Sequence, residues 1–377
     1  MLERFYGSDL LMRPPAPVTM NKAGANYKSE VMHTSYSPRQ AYREWLTICD
    51  AIVECGGDSI FMFEEADQRF WDREVLRVLS NGTVIDSDTK EELASVDEIL
   101  TGRVFTANGP WVQVQDKTLR VLYPRMLEHR QREIPYYQSL LEAIAAESGF
   151  SLLCEQNPHP WEGLADVVVV DDTVFFTHTV RGHYDAGIAE KTLRSSLEGV
   201  QYVAEFFDLD PAKTVFLELI YPHFHGDTAY FALRAEDRST VAVYEKGFYA
   251  DGGEVIWRIL DGRPCLKLSK QDAVDAYAGN SRQVNGGVLV PTGVSMAYEN
   301  DLKALGLKVF EIELQELFAK AGGGPGCATL YLPTDFPLPK DSPLRYSNVK
   351  IQAQAHANRI PDRVEVDAAY FSGKSRG

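Results

Sequence analysis

Cys327 closes the run Gly322-Gly323-Gly324-Pro325-Gly326-Cys327, and a strand-like stretch from Ala328 to Leu332 follows it. Glycine lets backbone and ligand approach closely and opens dihedrals barred to other residues. A thiol at the mouth of such a loop is a candidate nucleophile. The pattern gains meaning only if the chain also supplies a base, an acid to orient that base, and a group to hold a substrate.

Three other stretches could supply them. Tyr221-Pro222-His223-Phe224-His225-Gly226-Asp227-Thr228-Ala229 joins two strand-like runs. His225 and Asp227 are two apart, so on extended backbone they face the same side. A proton-transfer group and a cation-binding carboxylate would then sit together; the plainer reading is a turn histidine capping a strand. Pro160-Trp161-Glu162-Gly163-Leu164-Ala165-Asp166 precedes an apolar run, and Glu162 there could orient and charge-stabilise a histidine. Phe70-Trp71-Asp72-Arg73-Glu74 places two carboxylates around an arginine, either to bind a cation or as a surface charge network. His223 and His225 with His178 and His183 could form a metal cluster, but no compact HExxH-type spacing completes it.

The elements that must position these groups alternate. Helical periodicity runs from Ser37 to Cys55, with Trp45, Ile48, Cys49, Ile52 and Val53 on one side, Ser37-Pro38 at its start and Gly56-Gly57 at its end. A hairpin is predicted over Val75 to Ile85 around Ser80-Asn81-Gly82. Further helices are predicted over Leu127–Ser148, broken or started by Pro135, and over Ile188–Phe207. Strands are predicted over Ala165–Val170, Thr173–Thr179, Lys213–Ile220, Thr228–Leu233 and Thr240–Glu245. Helix Gln271–Tyr277, strand Gly287–Val290, helix Asn300–Leu305, strand Lys308–Glu313 and helix Leu314–Lys320 lead into the glycine loop. This is α/β alternation with hairpins rather than a clean βαβ series. No GxGxxG follows a strand and no P-loop occurs, so nucleotide folds lose weight. Residues 334–377 are richer in proline and polar groups and read as a C-terminal extension, packed on or trailing a single domain of residues 1–333.

Composition narrows the function class. With 377 residues, 45% apolar and 24% charged, the chain can bury a large core. A net charge of −16 argues against a nucleic-acid or anionic-membrane partner but suits a cationic small substrate. Five cysteines without a CxxC pair read as free thiols in a reducing compartment. No signal-peptide pattern and no membrane-length apolar run are visible, so a cytoplasmic protein is expected.

In order, Glu162, His225, Asp227 and Cys327 resemble the signature of the guanidino-group-modifying enzymes, or penteins: arginine deiminase, dimethylarginine dimethylaminohydrolase and the amidinotransferases. Leu10-Leu11-Met12-Arg13-Pro14-Pro15 looks like their opening strand, Glu162 to Val167 like their EGxGDV element, and His225 to Ala229 like HLDT(A/V). The resemblance covers roughly residues 8–333 and implies a five-bladed α/β propeller around a polar pocket. It implies Cys327 as nucleophile, His225 as acid and base, Glu162 as its orienting partner and Asp227 as a guanidinium ligand. Asp72 or Glu74 stands for a second carboxylate clamp, and Arg181 for the partner of a substrate carboxylate. The implied reaction is hydrolysis of a guanidine C–N bond through a covalent thiouronium, or transfer of the amidine to an acceptor amine. No metal or organic cofactor is implied. The partner is a small guanidino compound, and a homodimer is compatible with the resemblance. The glycines before Cys327 are expected to leave room for a flat cation against the sulfur.

Overall fold

A computed structural model describes residues 7–18, 35–180, 193–235, 239–260 and 265–373. Its organising unit is a three-stranded sheet made of an antiparallel pair and a third strand parallel to the second. Trp111–Gln115, Thr118–Tyr123 and Ser151–Gln156 form one, with helix Ile134–Ser148 in the crossover. Val167–Val170, Thr173–Thr179 and Thr214–Leu219 repeat it around helix Leu197–Phe206. Tyr230–Arg234, Ser239–Val243 and Leu266–Lys267 repeat it around Gly252–Ile259. Arg282–Val284, Gly287–Pro291 and Lys308–Ile312 repeat it around Met296–Ala304. A parallel pair needs such a crossover, which is why each unit carries a helix between its second and third strands.

The fifth unit draws on both ends of the chain. Leu330–Tyr331 pairs antiparallel with Asp9–Leu11, which pairs parallel with Asp58–Ile60 across helix Pro38–Glu54. That helix shows how local sequence dictates local structure. The Ser37 side chain accepts the Gln40 N–H at its N-cap, Pro38 opens the first turn, and Ala41, Trp45, Ile48, Cys49 and Ile52 bury one stripe. Each such fully buried aliphatic or aromatic side chain stabilises the fold by about 1.5–3 kcal/mol.

A sixth sheet has five strands in the order Ser35–Tyr36, Arg363–Val366, Val75–Val78, Thr83–Asp86, Glu92–Ser95. The hairpin expected around Asn81-Gly82 lies in it. Residues beyond 334 supply its second strand and helix Tyr346–Ala357, whose Tyr346, Ala353 and Ala357 join the same apolar core as the helix Pro38–Glu54.

Several expected bounds shift. Leu127–Ser148 divides into a 3-10 turn, Glu128–Glu133, and the α-helix Ile134–Ser148, because Pro135 starts a helix but cannot sit inside one. The helix expected from Ile188 is seen as Leu197–Phe206, and residues 188–192 lie outside the described residues. Gln271–Asp275 and Gln315–Lys320 are π-helical turns. No helix among the described residues is long and apolar enough to cross a membrane.

Candidate active site

The site lies where five turns meet. In four units the first strand is preceded by a 3-10 turn: Thr106–Asn108, Gly163–Asp166, Gly226–Thr228 and Ala278–Asn280. In the fifth, Cys327 stands in the turn before Leu330. Each turn brings one polar residue forward: Asn108, Glu162, His225, Asn280 and Cys327. Hydrogen bonds link each turn to the next. Asn108 Nδ2 donates to the Glu162 carbonyl at 3.2 Å, and Gly226 N donates to Asp166 Oδ1 at 2.9 Å. Asn280 Nδ2 donates to the Asp227 carbonyl at 3.2 Å, and Cys327 N donates to Asn280 Oδ1 at 2.9 Å. Ala107 N then donates to the Cys327 carbonyl at 3.0 Å, joining the last turn to the first.

Glu162 is the hub of the first half. Its Oε2 accepts from His225 Nε2 at 2.8 Å and from Asn108 Nδ2 at 3.3 Å, while Oε1 accepts from Leu127 N at 3.1 Å. Arg194 Nε lies 3.6 Å from Oε2. Burial alone would raise the Glu162 pKa, but Arg194, His225 and Arg130 outweigh it and hold the carboxyl well below its usual range. His225 is the mirror case. Burial would lower its pKa, yet Asp166, Glu162 and Asp227 raise it, so the imidazolium is favoured. Asp166 is itself fully enclosed, accepting from Thr177, Ser195 and Gly226 N.

Gly163 shows why this turn needs glycine. Its φ is +71°, and a Cβ would stand 2.2 Å from the Gly109 carbonyl oxygen.

The second half centres on sulfur. Cys327 Sγ donates to Asp227 Oδ2 at 3.7 Å and accepts from Asn280 Nδ2 at 3.0 Å. Asp227 Oδ1 is buried, and among the described residues no hydrogen bond reaches it. A lone buried carboxylate oxygen is costly. Burial first, then Asp166, push the Asp227 carboxyl up to about 6, against the pull of His225 and Arg282. Burial and the Asp227 charge likewise push the Cys327 thiol well above its ordinary value, opposed by Asn280 and Arg282. Among the described residues, no group of three histidine, cysteine or acidic side chains could hold a metal ion.

No family model matches the chain. An uncharacterised protein of Caenorhabditis elegans is 28% identical over 238 residues, which is 62% of this chain and 74% of that one. Similar solved structures have described activities. The N-terminal domain of ArgZ, an arginine dihydrolase of the cyanobacterial ornithine–ammonia cycle, seen with substrate bound, shares 23% identity at a TM-score of 0.61. That match covers 86% of this chain and 98% of that domain. DDAH from Pseudomonas aeruginosa, seen with citrulline, shares 16% identity at a TM-score of 0.56, covering 87% of this chain and 100% of that one. The chain has a mixed α/β fold of many small sheets, similar to that of these enzymes. AgrE with L-arginine matches at a TM-score of 0.61 and 21% identity, over 88% of this chain and 41% of AgrE.

Of the pentein residues expected from sequence, the structure brings together Glu162, His225, Asp227 and Cys327. It does not bring Asp72 or Glu74 to them. Asp72 is exposed and ion-paired with Arg359 Nη2 at 2.6 Å, and Glu74 is exposed while its carbonyl accepts from Asp362 N and Arg363 N. Both stand at the head of the five-stranded sheet, one of whose strands comes from the C-terminal residues, a pairing that local sequence does not reveal. Arg181 and His183 lie outside the described residues. His178 stands on the strand Thr173–Thr179, and His223 bonds Thr228 Oγ1 through Nδ1 at 3.0 Å.

Four site residues escaped the sequence reading: Asn108, Asp166, Arg194 and Asn280. A signal existed for two of them. Asn108-Gly109 and Gly279-Asn280 each set a polar residue beside glycine just before a strand, the same local pattern as Glu162-Gly163 and His225-Gly226.

The glycine loop is also closely packed by its protein neighbours. A Cβ on Gly323 would stand 2.2 Å from the Phe105 ring, and one on Gly324 would stand 2.9 Å from Asn280 Oδ1. One on Gly326 would stand 3.0 Å from Asn280 Cγ and Nδ2. These glycines admit protein neighbours to the loop.

Proposed function

We propose that this protein hydrolyses a C–N bond of a guanidino compound, arginine or an arginine derivative, through a covalent intermediate on Cys327. The observation that carries the reading is Asp227 Oδ1, buried beside the Cys327 thiol and without a hydrogen-bond partner among the described residues. A guanidinium N–H would complete that oxygen's hydrogen bonding and neutralise its charge. The five repeated units and the joined turns support a five-bladed propeller with this site at its centre. We take residues 1–333 as the catalytic unit and 334–377 as a C-terminal extension, of which Tyr346, Ala353 and Ala357 pack in the same core as the helix Pro38–Glu54.

The sulfur is set up to respond to its substrate. In the empty site the Asp227 charge opposes the thiolate. A cation docked on Asp227 removes that opposition, and the thiol proton is released to solvent. Sγ then attacks the planar guanidinium carbon, held flat and close by the carboxylate. His225, with Nε2 committed to Glu162, uses its other nitrogen to protonate the departing amine or ammonia. The same nitrogen takes a proton from water as the oxygen attacks the thiouronium, which expels the thiolate and leaves a ureido product. Glu162 keeps the imidazole oriented and stabilises its cationic form.

The test is a panel of arginine, methylarginines, agmatine and related guanidines, each with and without acceptor amines. Ureido product without an acceptor supports hydrolysis. Product formed only with an acceptor makes the protein an amidinotransferase, and no product across the panel sinks the reading.

A further inference from the structure

The clasp on the glycine loop points to a role for a residue that the hydrolytic scheme does not use. Asn280 is fully buried at the end of the turn Ala278–Asn280. Its Oδ1 accepts from Gly324 N at 3.0 Å and Cys327 N at 2.9 Å, and its carbonyl accepts from Gly326 N at 2.8 Å. Two backbone donors on one atom identify it as the amide oxygen, which leaves Nδ2 as the donor facing sulfur at 3.0 Å. Arg282, two residues on, closes the other side. Its Nη2 donates to the Gly326 carbonyl at 2.7 Å and its Nε to Thr329 Oγ1 at 2.8 Å.

We propose that Asn280 is a catalytic residue whose side-chain amide donates a hydrogen bond to Cys327 Sγ and stabilises the thiolate, while its oxygen fixes the loop that presents the sulfur. The inference rests on Cys327 being the nucleophile. An N–H donor favours the charged form of the sulfur and does nothing comparable for the neutral thiol. It offsets part of the burial and the Asp227 charge that oppose ionisation. Gly324 and Gly326 are the counterpart on the loop, since a Cβ at either would press on Asn280, at 2.9 and 3.0 Å respectively.

The experiment is the pH dependence of Cys327 alkylation by iodoacetamide, followed on the Cys327 peptide by mass spectrometry. Asn280→Asp keeps the acceptor for the two backbone N–H groups, removes the donor and adds a charge. The alkylation midpoint should rise by about one pH unit or more, and the rate below the midpoint should fall about tenfold. A midpoint equal to wild type in the folded variant overturns the proposal. Should the variant fail to fold, the wild-type protein decides. The Asn280 side-chain amide resonances should shift with the same midpoint as alkylation, and resonances that stay constant through it overturn the proposal. The readout needs no substrate. A silent guanidine panel with a shifted midpoint leaves the Asn280 role intact and removes only the substrate reading.

Discussion

Glu162 Oε2 lies 2.8 Å from Nε2 of His225, and the two side chains come from turns 63 residues apart in adjacent units. Each holds the other charged although both are buried. The pair has consequences for rate and for pH. Glu162→Gln keeps the shape and removes one of the charges, beside Asp166 and Asp227, that raise the His225 pKa. The variant should lose about 10²–10⁴ in kcat, the usual contribution of a positioned proton-transfer group. The acidic-side form of His225 should also disappear at lower pH than in wild type. A pH–rate profile checks both, and an unmoved profile would deny Glu162 its role.

Asp227 couples function to stability with opposite signs. Its folded pKa, about 6, lies above the ordinary 3.8, so the native state binds the proton more tightly than the unfolded chain. Its contribution is fully present below pH 3.8 and lost as pH rises through about 6. Asp227→Asn should therefore be more stable than wild type by up to about 3 kcal/mol at pH 8 and gain nothing near pH 4. Denaturant melts at the two pH values measure this. The same variant should lose guanidine turnover, because the cation's partner is gone. For wild type, binding of a guanidinium should strengthen as pH passes upward through about 6.

Asp72 and Glu74 give a contrasting case. Asp72→Asn breaks an exposed ion pair with Arg359, and such solvent-screened pairs contribute little to stability. Turnover and melting temperature should both stay close to wild type, as they should for Glu74→Gln. A loss of turnover beyond about tenfold in either variant would restore that residue to the site.

Gly163→Ala tests the contact between turns. The +71° dihedral and the 2.2 Å approach to the Gly109 carbonyl leave no room for a methyl group. Strain at such a dihedral costs about 1–3 kcal/mol, and the forced separation of the two turns adds to it. Thermal unfolding should fall accordingly. An unchanged melting temperature would mean that the turns can part freely.

Much of this arrangement was legible in the sequence, and the reasons for the remainder are physical. The helix Pro38–Glu54 announces itself through a cap, a proline and a buried stripe, all within 17 residues. Glu162, His225, Asp227 and Cys327 were found because each sits in a short motif with glycine. Asp72 and Glu74 were drawn in by residue type, yet Asp72 turns outward to Arg359, a partner 287 residues away. Asn280 was missed because its value lies in what packs on it, two backbone amides and a sulfur from a loop 47 residues distant. The repeat of five units was expected from the family resemblance and not from periodicity, since one unit joins Leu330–Tyr331 to Asp9–Leu11 across nearly the whole chain.

The central claim is that Cys327 forms a covalent bond to a guanidine carbon. The direct measurement is acid-quenched mass spectrometry of the Cys327 peptide during turnover of the guanidine panel. An amidine adduct on that peptide, absent in Cys327→Ser and increased in Glu162→Gln, where hydrolysis of the intermediate is slowed, is the predicted result. Turnover of a guanidine with an unmodified Cys327 peptide, or undiminished turnover by Cys327→Ser, would contradict the account.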